Sequence, residues 1–214
     1  MKNRLTFALM ATFFCSTIAM AQVQKLPAPA KSGGKSIIEA LWNRSSGTEF
    51  SDKMLNDQDL SNLLFAAIGV NRPSENKLTS PTARNLQEIR LFVFTEKGVF
   101  EYLNKENSLK LFAKGDYRAL IADRQEWVKS APVSLLIVAD ESKFGSSDIR
   151  VKVAVGNDAG IVSENVNLFC AGTGLVTRTR MTMDVPAIKK LLNLSESETP
   201  LLNNPVGYPV TSKK

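Results

Sequence analysis

Three short stretches of the 214-residue chain gather residue types that hold polar ligands. "NRSSGTEF", Asn43 to Phe50, offers a fixed cation at Arg44 and hydroxyls at Ser45, Ser46 and Thr48. An arginine fork with hydroxyl donors beside it can cradle a phosphate. "SPTARNLQ", Ser80 to Gln87, contributes Thr82, Asn85 and Gln87. An amide side chain presents donor and acceptor together, which suits the edge of a heterocycle. "AGTGLVTRTR", Ala171 to Arg180, has glycines that permit close backbone approach, and Arg178 or Arg180 could reach an anion. It closes a helix rather than opening one, so it is not a dinucleotide fingerprint. Taken singly, each stretch is also ordinary turn chemistry: Gly47 as a left-handed helix end, Ser80–Gln87 as a turn into a strand.

The residues that are missing narrow the chemistry. No histidine occurs, which removes Ser-His-Asp triads, Cys-His dyads and His-ligated metal sites. Residues 1–21 run from a basic start through a short apolar segment to Ala19-Met20-Ala21, the pattern of a secretory signal peptide. The mature chain is therefore expected outside the cytoplasm, in the periplasm or an equivalent compartment. Removing Lys2 and Arg4 with that segment lowers the net charge from +6 to +4 and leaves 193 residues, enough for one domain. The charge excess is spread along the chain, which argues against nucleic acid, and no later segment is apolar for long enough to span a bilayer. Cys170, in "NVNLFCAG", reads as a buried structural thiol. An enzyme built from these residues would borrow its reactive centre from a bound group.

The elements that would position these stretches follow from periodicity and caps. Residues 22–35, rich in Pro, Gly and Lys, read as a flexible leader, and 36–214 as a single domain. Ser36 caps a helix carrying Ile37, Ile38, Leu41 and Trp42 at helical spacing. Asn56 or Asp57 opens a second helix, with Leu60, Leu63, Leu64, Ala67 and Ile68 on one face, and residues 71–80 are loop. Residues 89–103 alternate as a hairpin, and Pro132–Asp140 is apolar enough for the centre of a sheet. A long buried helix is expected from Asp158 to Gly172-Thr-Gly174. A short strand follows, then a helix capped by Asp184 and a short last strand near Val206–Tyr208. The sum is an α+β domain with helices flanking a small sheet.

The order of the motifs resembles the FMN-dependent nitroreductase family, particularly its exported or SagB-like members. "RSSGTEF" is similar to the family's Arg-Arg-Ser-x-Arg-x-Phe motif, and "SPTARNLQ" to its Pro-Ser-Ala-x-Asn-x-Gln loop. "SAPVSLLIVAD", "DAGIVSENVNLFCAGTGL" and "LLNNPVGYP" match later landmarks, so the resemblance runs from about residue 37 to 210. It implies a nitroreductase-like fold, with a central, mostly antiparallel sheet flanked by helices, in an interlocked homodimer with FMN at the interface. It further implies that Arg44, Ser45, Ser46 and Thr48 meet the phosphate or ribityl chain, with Arg180 a phosphate partner. Thr82 and Asn85 would meet the ring or ribityl, Gln87 would support their loop, and Gly174, Leu175 and Thr177 would lie along the flavin. Ser45 and Thr48 replace two arginines of the family motif, and Glu164 stands where glutamine is usual. The implied activity is transfer of a hydride or electrons through flavin N5, by ping-pong turnover, to a nitro compound, a quinone or a similar acceptor. NAD(P)H is the family's usual donor. The alternatives are a SagB-like dehydrogenase acting on an exported substrate and a flavin- or partner-binding domain without turnover.

Overall fold

A computed structural model describes residues 22–210. The signal-peptide segment lies outside the described residues. Strands β4 (Ile89–Phe94), β5 (Gly98–Leu103) and β7 (Val133–Asp140) are rich in β-branched and aromatic residues, which fit a pleated surface buried on both sides. They join β1 (Val23–Lys25), β6 (Ser108–Lys114), β8 (Val176–Thr177) and β9 (Glu198–Gly207) in a seven-stranded sheet ordered β1-β6-β5-β4-β7-β9-β8. Every pairing is antiparallel. The α+β architecture expected from the sequence, a central antiparallel sheet flanked by helices, is the one observed.

Alternation along β4 decides what each face meets. Leu91 and Val93 point into a layer formed with α2 (Asp57–Ile68) and α4 (Ile149–Thr173). Phe92 and Phe94 point into the opposite layer, with α3 (Arg118–Ala122) and α5 (Val185–Leu192). The 25-residue α4 is the spine of the first layer. Val151, Val155, Ala159, Val162, Val166 and Cys170 form its buried stripe at three- and four-residue spacing. Asp148 starts it by accepting the N–H groups of Arg150 (2.8 Å) and Val151 (3.2 Å). Cys170 is the expected buried thiol, its pKa raised by desolvation.

Four sequence expectations need correction. The leader is ordered in part: β1 pairs with β6, Leu26 is buried, and the Pro27 carbonyl accepts from Ser61 Oγ and Asn107 Nδ2. A composition that suits a linker was overridden by an open sheet edge. The long helix begins at Ile149, nine residues before Asp158, because Asp148 supplies the cap. The last strand is ten residues long and pairs along the whole of β7. Residues 71–80 contain a small hairpin, β2 (Val70–Arg72) with β3 (Lys77–Leu78).

The helix α1 (Ile37–Asn43) forms as its capping box dictates, Ser36 and Glu39 bonding each other's backbone N–H. Its apolar face is not in the core. Ile37 and Ile38 are each 60% exposed, Leu41 53% and Trp42 87%. Only Ala40 turns inward, against Gly172 of α4. Four large apolar side chains in one turn-and-a-half of helix form a patch of the kind that marks an interaction surface.

Candidate functional site

The three candidate stretches lie at two places on α4, its C-terminal end and its middle. At its C-terminal end, Gly174 takes a left-handed φ of +79° and closes the helix through its N–H on the Cys170 carbonyl. A Cβ there would meet nothing within 4 Å, so the backbone faces open space. Leu175 then turns inward, and Thr177 accepts the Gly47 N–H on its carbonyl at 3.0 Å. Gly47 does not have the left-handed conformation anticipated from its place after a helix. It is needed for proximity: a Cβ would lie 2.3 Å from Val176 Cγ1. Residues 44–48 are therefore stitched to 176–177, as a joint binding surface requires.

Arg44, Ser45 and Ser46 are exposed there, and Thr48 is half-buried. Phe50 anchors the segment by stacking on Trp127, with centroids 6.2 Å apart and planes at 17°. The Thr177 hydroxyl is buried without a hydrogen-bond partner among the described residues. Arg178 is exposed and lies over the Trp127 ring.

Arg180 is corrected. Its Nε donates to Gln125 Oε1 (3.0 Å), Nη1 to the Ile121 carbonyl (3.0 Å) and Asn203 Oδ1 (2.6 Å), and Nη2 to the Ala122 carbonyl (3.3 Å). Its backbone also pairs with Asn203 in both directions. A guanidinium so enclosed ties the sheet to α3; it has no fork left for a phosphate. The sequence could not separate it from Arg178, since the two alternate along one short extended segment.

The middle of α4, at Asp158, carries Ser80–Gln87. Arg84 (φ 53°), Asn85 (φ 55°) and Gln87 (φ 51°) are all left-handed and none is glycine. Such conformations cost roughly 1–3 kcal/mol each and persist only where surrounding bonds over-determine them. The bonds are present. Asp158 Oδ2 accepts the Ala83 N–H at 2.7 Å, Thr82 Oγ1 accepts the Gln87 N–H at 2.9 Å, and Lys143 Nζ donates to the Gln87 carbonyl at 2.7 Å. The Gln87 amide reaches back to the Asn76 carbonyl. Arg84 lies 5.2 Å over the Phe144 ring and donates to the Phe144 carbonyl. Asn85 projects outward, its side chain exposed and held only by a 3.4 Å contact from Gln87. The loop is pinned from below and open above.

Two groups in this support were not legible as such. Glu88 is fully buried and Asp158 nearly so, at 6% exposure. In the sequence Glu88 alternates with Ile89, Arg90 and Leu91 as a solvent-facing position would, so its only signal pointed the wrong way.

Asp158 and Gly174 are sixteen residues apart on one helix, about 24 Å at 1.5 Å per residue. Within one chain the helix positions beside the two polar stretches are therefore well separated. No cluster of three or more metal-ligating side chains is present among the described residues, and none of their helices is long and apolar enough to cross a membrane.

The model of the nitroreductase family matches residues 41–208. A Methanocaldococcus jannaschii protein provisionally named a nitroreductase is 29% identical over 182 residues, covering 79% of this chain and 89% of that protein. A crystal structure from Ralstonia eutropha, also provisionally named a nitroreductase, shares 29% identity and a TM-score of 0.83 over 89% of this chain and 90% of that one. The NADPH:FMN oxidoreductase of Vibrio harveyi, solved with NAD+, gives a TM-score of 0.62 at 18% identity, over 82% of this chain and 69% of that one. At that identity the likeness concerns the fold alone.

Proposed function

This chain belongs to the nitroreductase family, and from that premise we propose an FMN-dependent oxidoreductase whose binding site is completed by a second copy of the chain. The observation that carries the proposal is the loop at residues 82–87. Three left-handed non-glycine residues are held in place by Asp158, Thr82 and Lys143, while Asn85 faces outward. Strain of this kind is retained where a ligand uses the geometry it enforces.

The residues present suit FMN when its two ends are shared between copies. Arg44 and the Ser45, Ser46 and Thr48 hydroxyls would hold the phosphate, a charge-assisted contact that survives the two missing motif arginines in weakened form. The open backbone at Gly174 and the segment through Leu175 to Thr177 would lie along the flavin. Thr82 and Asn85 of the second copy would close over it, Asn85 offering donor and acceptor to a heterocycle edge. The exposed Ile37, Ile38, Leu41 and Trp42 supply the apolar surface such a pairing would bury, and Trp is a typical interface anchor. Bound FMN would supply the two-electron redox chemistry, taken from a donor such as NAD(P)H and given to a nitro, quinone or similar acceptor. The protein's own part is binding, orientation and exclusion of water, which accords with a chain lacking histidine. Export belongs to this reading, supported by the basic–apolar–small pattern of residues 1–21.

The test is the visible spectrum of purified 22–214. Flavin absorption that bleaches with a reductant and returns with an acceptor, in a species of twice the chain mass, is the expected result. A colourless protein that ignores added FMN would refute the flavin site, and a flavin-loaded monomer would refute its sharing.

A further inference from the structure

Beneath the strained loop lies a carboxyl pair that the reading above does not use. Glu88 is 0% exposed, and neither Oε1 nor Oε2 meets a hydrogen-bond donor among the described residues. The group acting on it is Asp158, reached from α4. Two ionised carboxylates offer acceptors only, and burying both charges is expensive. A single proton changes this, because a protonated carboxyl donates to its neighbour. Asp158 already accepts the Ala83 N–H at 2.7 Å, which suits it to be the accepting member and leaves the proton on Glu88.

The surrounding charges do not offer a substitute. Lys143 is the cation facing the pair, but its ammonium donates to the Gln87 carbonyl. Arg84 lies on Phe144, and Glu141 accepts from Lys152 and Thr199. Asp140 accepts from Ser142, and Arg90 is shared between Glu101 and Glu198. Burial first, then the hydrogen bond and charge of Asp158, push the Glu88 carboxyl up to about 7.

We propose that Glu88 holds a proton beside Asp158, and that this proton fixes the ligand-binding conformation of residues 82–87. The pair is a positioning device. Asp158 holds Ala83 at the start of the loop, and Glu88 follows Gln87 at its end, so both ends of the strained segment rest on one proton. Removing it leaves two buried anions in contact, which drives Asp158 from the Ala83 N–H and lets the left-handed residues relax. The consequence for FMN rests on the function proposed above; the proton on Glu88 itself does not.

The sign of the pH effect is fixed by linkage. The native state holds a proton that the unfolded chain releases near the ordinary glutamate value of 4.5. Stability is therefore full below that value and is lost as pH rises towards about 7, after which it is flat. Glu88→Gln keeps a donor at this position and should remove the slope.

Three measurements on 22–214 test the pair, two of them without FMN. Infrared difference spectra should show one more protonated carboxyl in the natural sequence than in Glu88→Gln at about pH 6, where ordinary carboxyls are ionised, and no such difference at about pH 9. Urea unfolding should show stability falling across the same window in the natural sequence and remaining level in the variant. With FMN added, the dissociation constant of the natural sequence should rise relative to Glu88→Gln, by at most about tenfold per pH unit, the limit for one proton. Absence of that extra carboxyl band, or an equal stability slope in both proteins, would overturn the proposal. If Glu88→Gln does not fold, the band and slope of the natural sequence decide it. Failure to bind FMN at any pH would count against the flavin reading while the first two measurements still judged the proton pair.

Discussion

The middle and the C-terminal end of α4 do different kinds of work. Around Asp158 the chain is strained and locked, with three left-handed residues held by a carboxylate, a hydroxyl and a lysine. Around Gly174 it is relaxed and open, with Arg44, Ser45 and Ser46 exposed and bonds made mainly through backbone. A phosphate needs accessible donors that can converge on it, and flexible ones suffice. A planar heterocycle needs one amide at one angle, which only a rigid support provides. The contrast fits the proposed reading, in which phosphate would meet the open region and the ring edge the locked one, with a second chain bringing the two together.

The sharpest way to break that assignment is to stop the chains pairing. Replacing Trp42 with Glu should convert a dimer to a monomer in analytical ultracentrifugation, since a central aromatic anchor is worth about 2 kcal/mol or more. Flavin should be lost with it, although Trp42 belongs to neither the 80–87 loop nor the 43–50 segment. Retention of flavin by the monomer would place both motifs in a single-chain site. Within the open end, Arg44→Ala should weaken FMN binding by roughly 1.5–3 kcal/mol, the range for a hydrogen bond to a charged group, read by fluorescence titration. Arg180→Met should do the opposite, leaving affinity unchanged in the folded protein. It should cost about 1–3 kcal/mol in urea unfolding, because buried carbonyls lose their donor. Asn85→Ala should reduce FMN affinity by about 1 kcal/mol and also lower stability by up to about 1 kcal/mol, since alanine tolerates a φ of 55° less well than asparagine. The smallest effect is expected from Arg84→Gly, which relieves one left-handed residue. After the added backbone entropy of glycine it should stabilise the chain by about 0.5 kcal/mol, visible as a small rise in Tm. A destabilised Arg84→Gly protein would show that the guanidinium on Phe144 matters more than the strain.

How far the sequence could be read depended on the range of the forces involved. The Ser36–Glu39 capping box, the Leu60 to Ile68 apolar face and the Val133–Asp140 core strand are local patterns, and each formed where its residues stand. The start of α4 was missed although Asp148 is an ordinary cap, because Gly145, Ser146 and Ser147 before it read as a continuing loop. The leader was misjudged because its composition says nothing about the unpaired edge of β6 that it covers. The apolar face of α1 was legible as a face, but whether it lay in the core or outside it was not.

The sequence by itself determined the helices, the central strands, the absence of histidine chemistry and the three polar stretches, since caps, periodicity and composition act within a few residues. Only the tertiary structure decided that those stretches sit about 24 Å apart along α4. It alone enclosed Arg180 in carbonyls from Ile121 and Ala122, and brought Asp158 to Glu88 across seventy residues of chain. The reason is physical. Desolvation and pairing of a charge are set by what packs against it, and those neighbours come from distant parts of the chain that local pattern does not name.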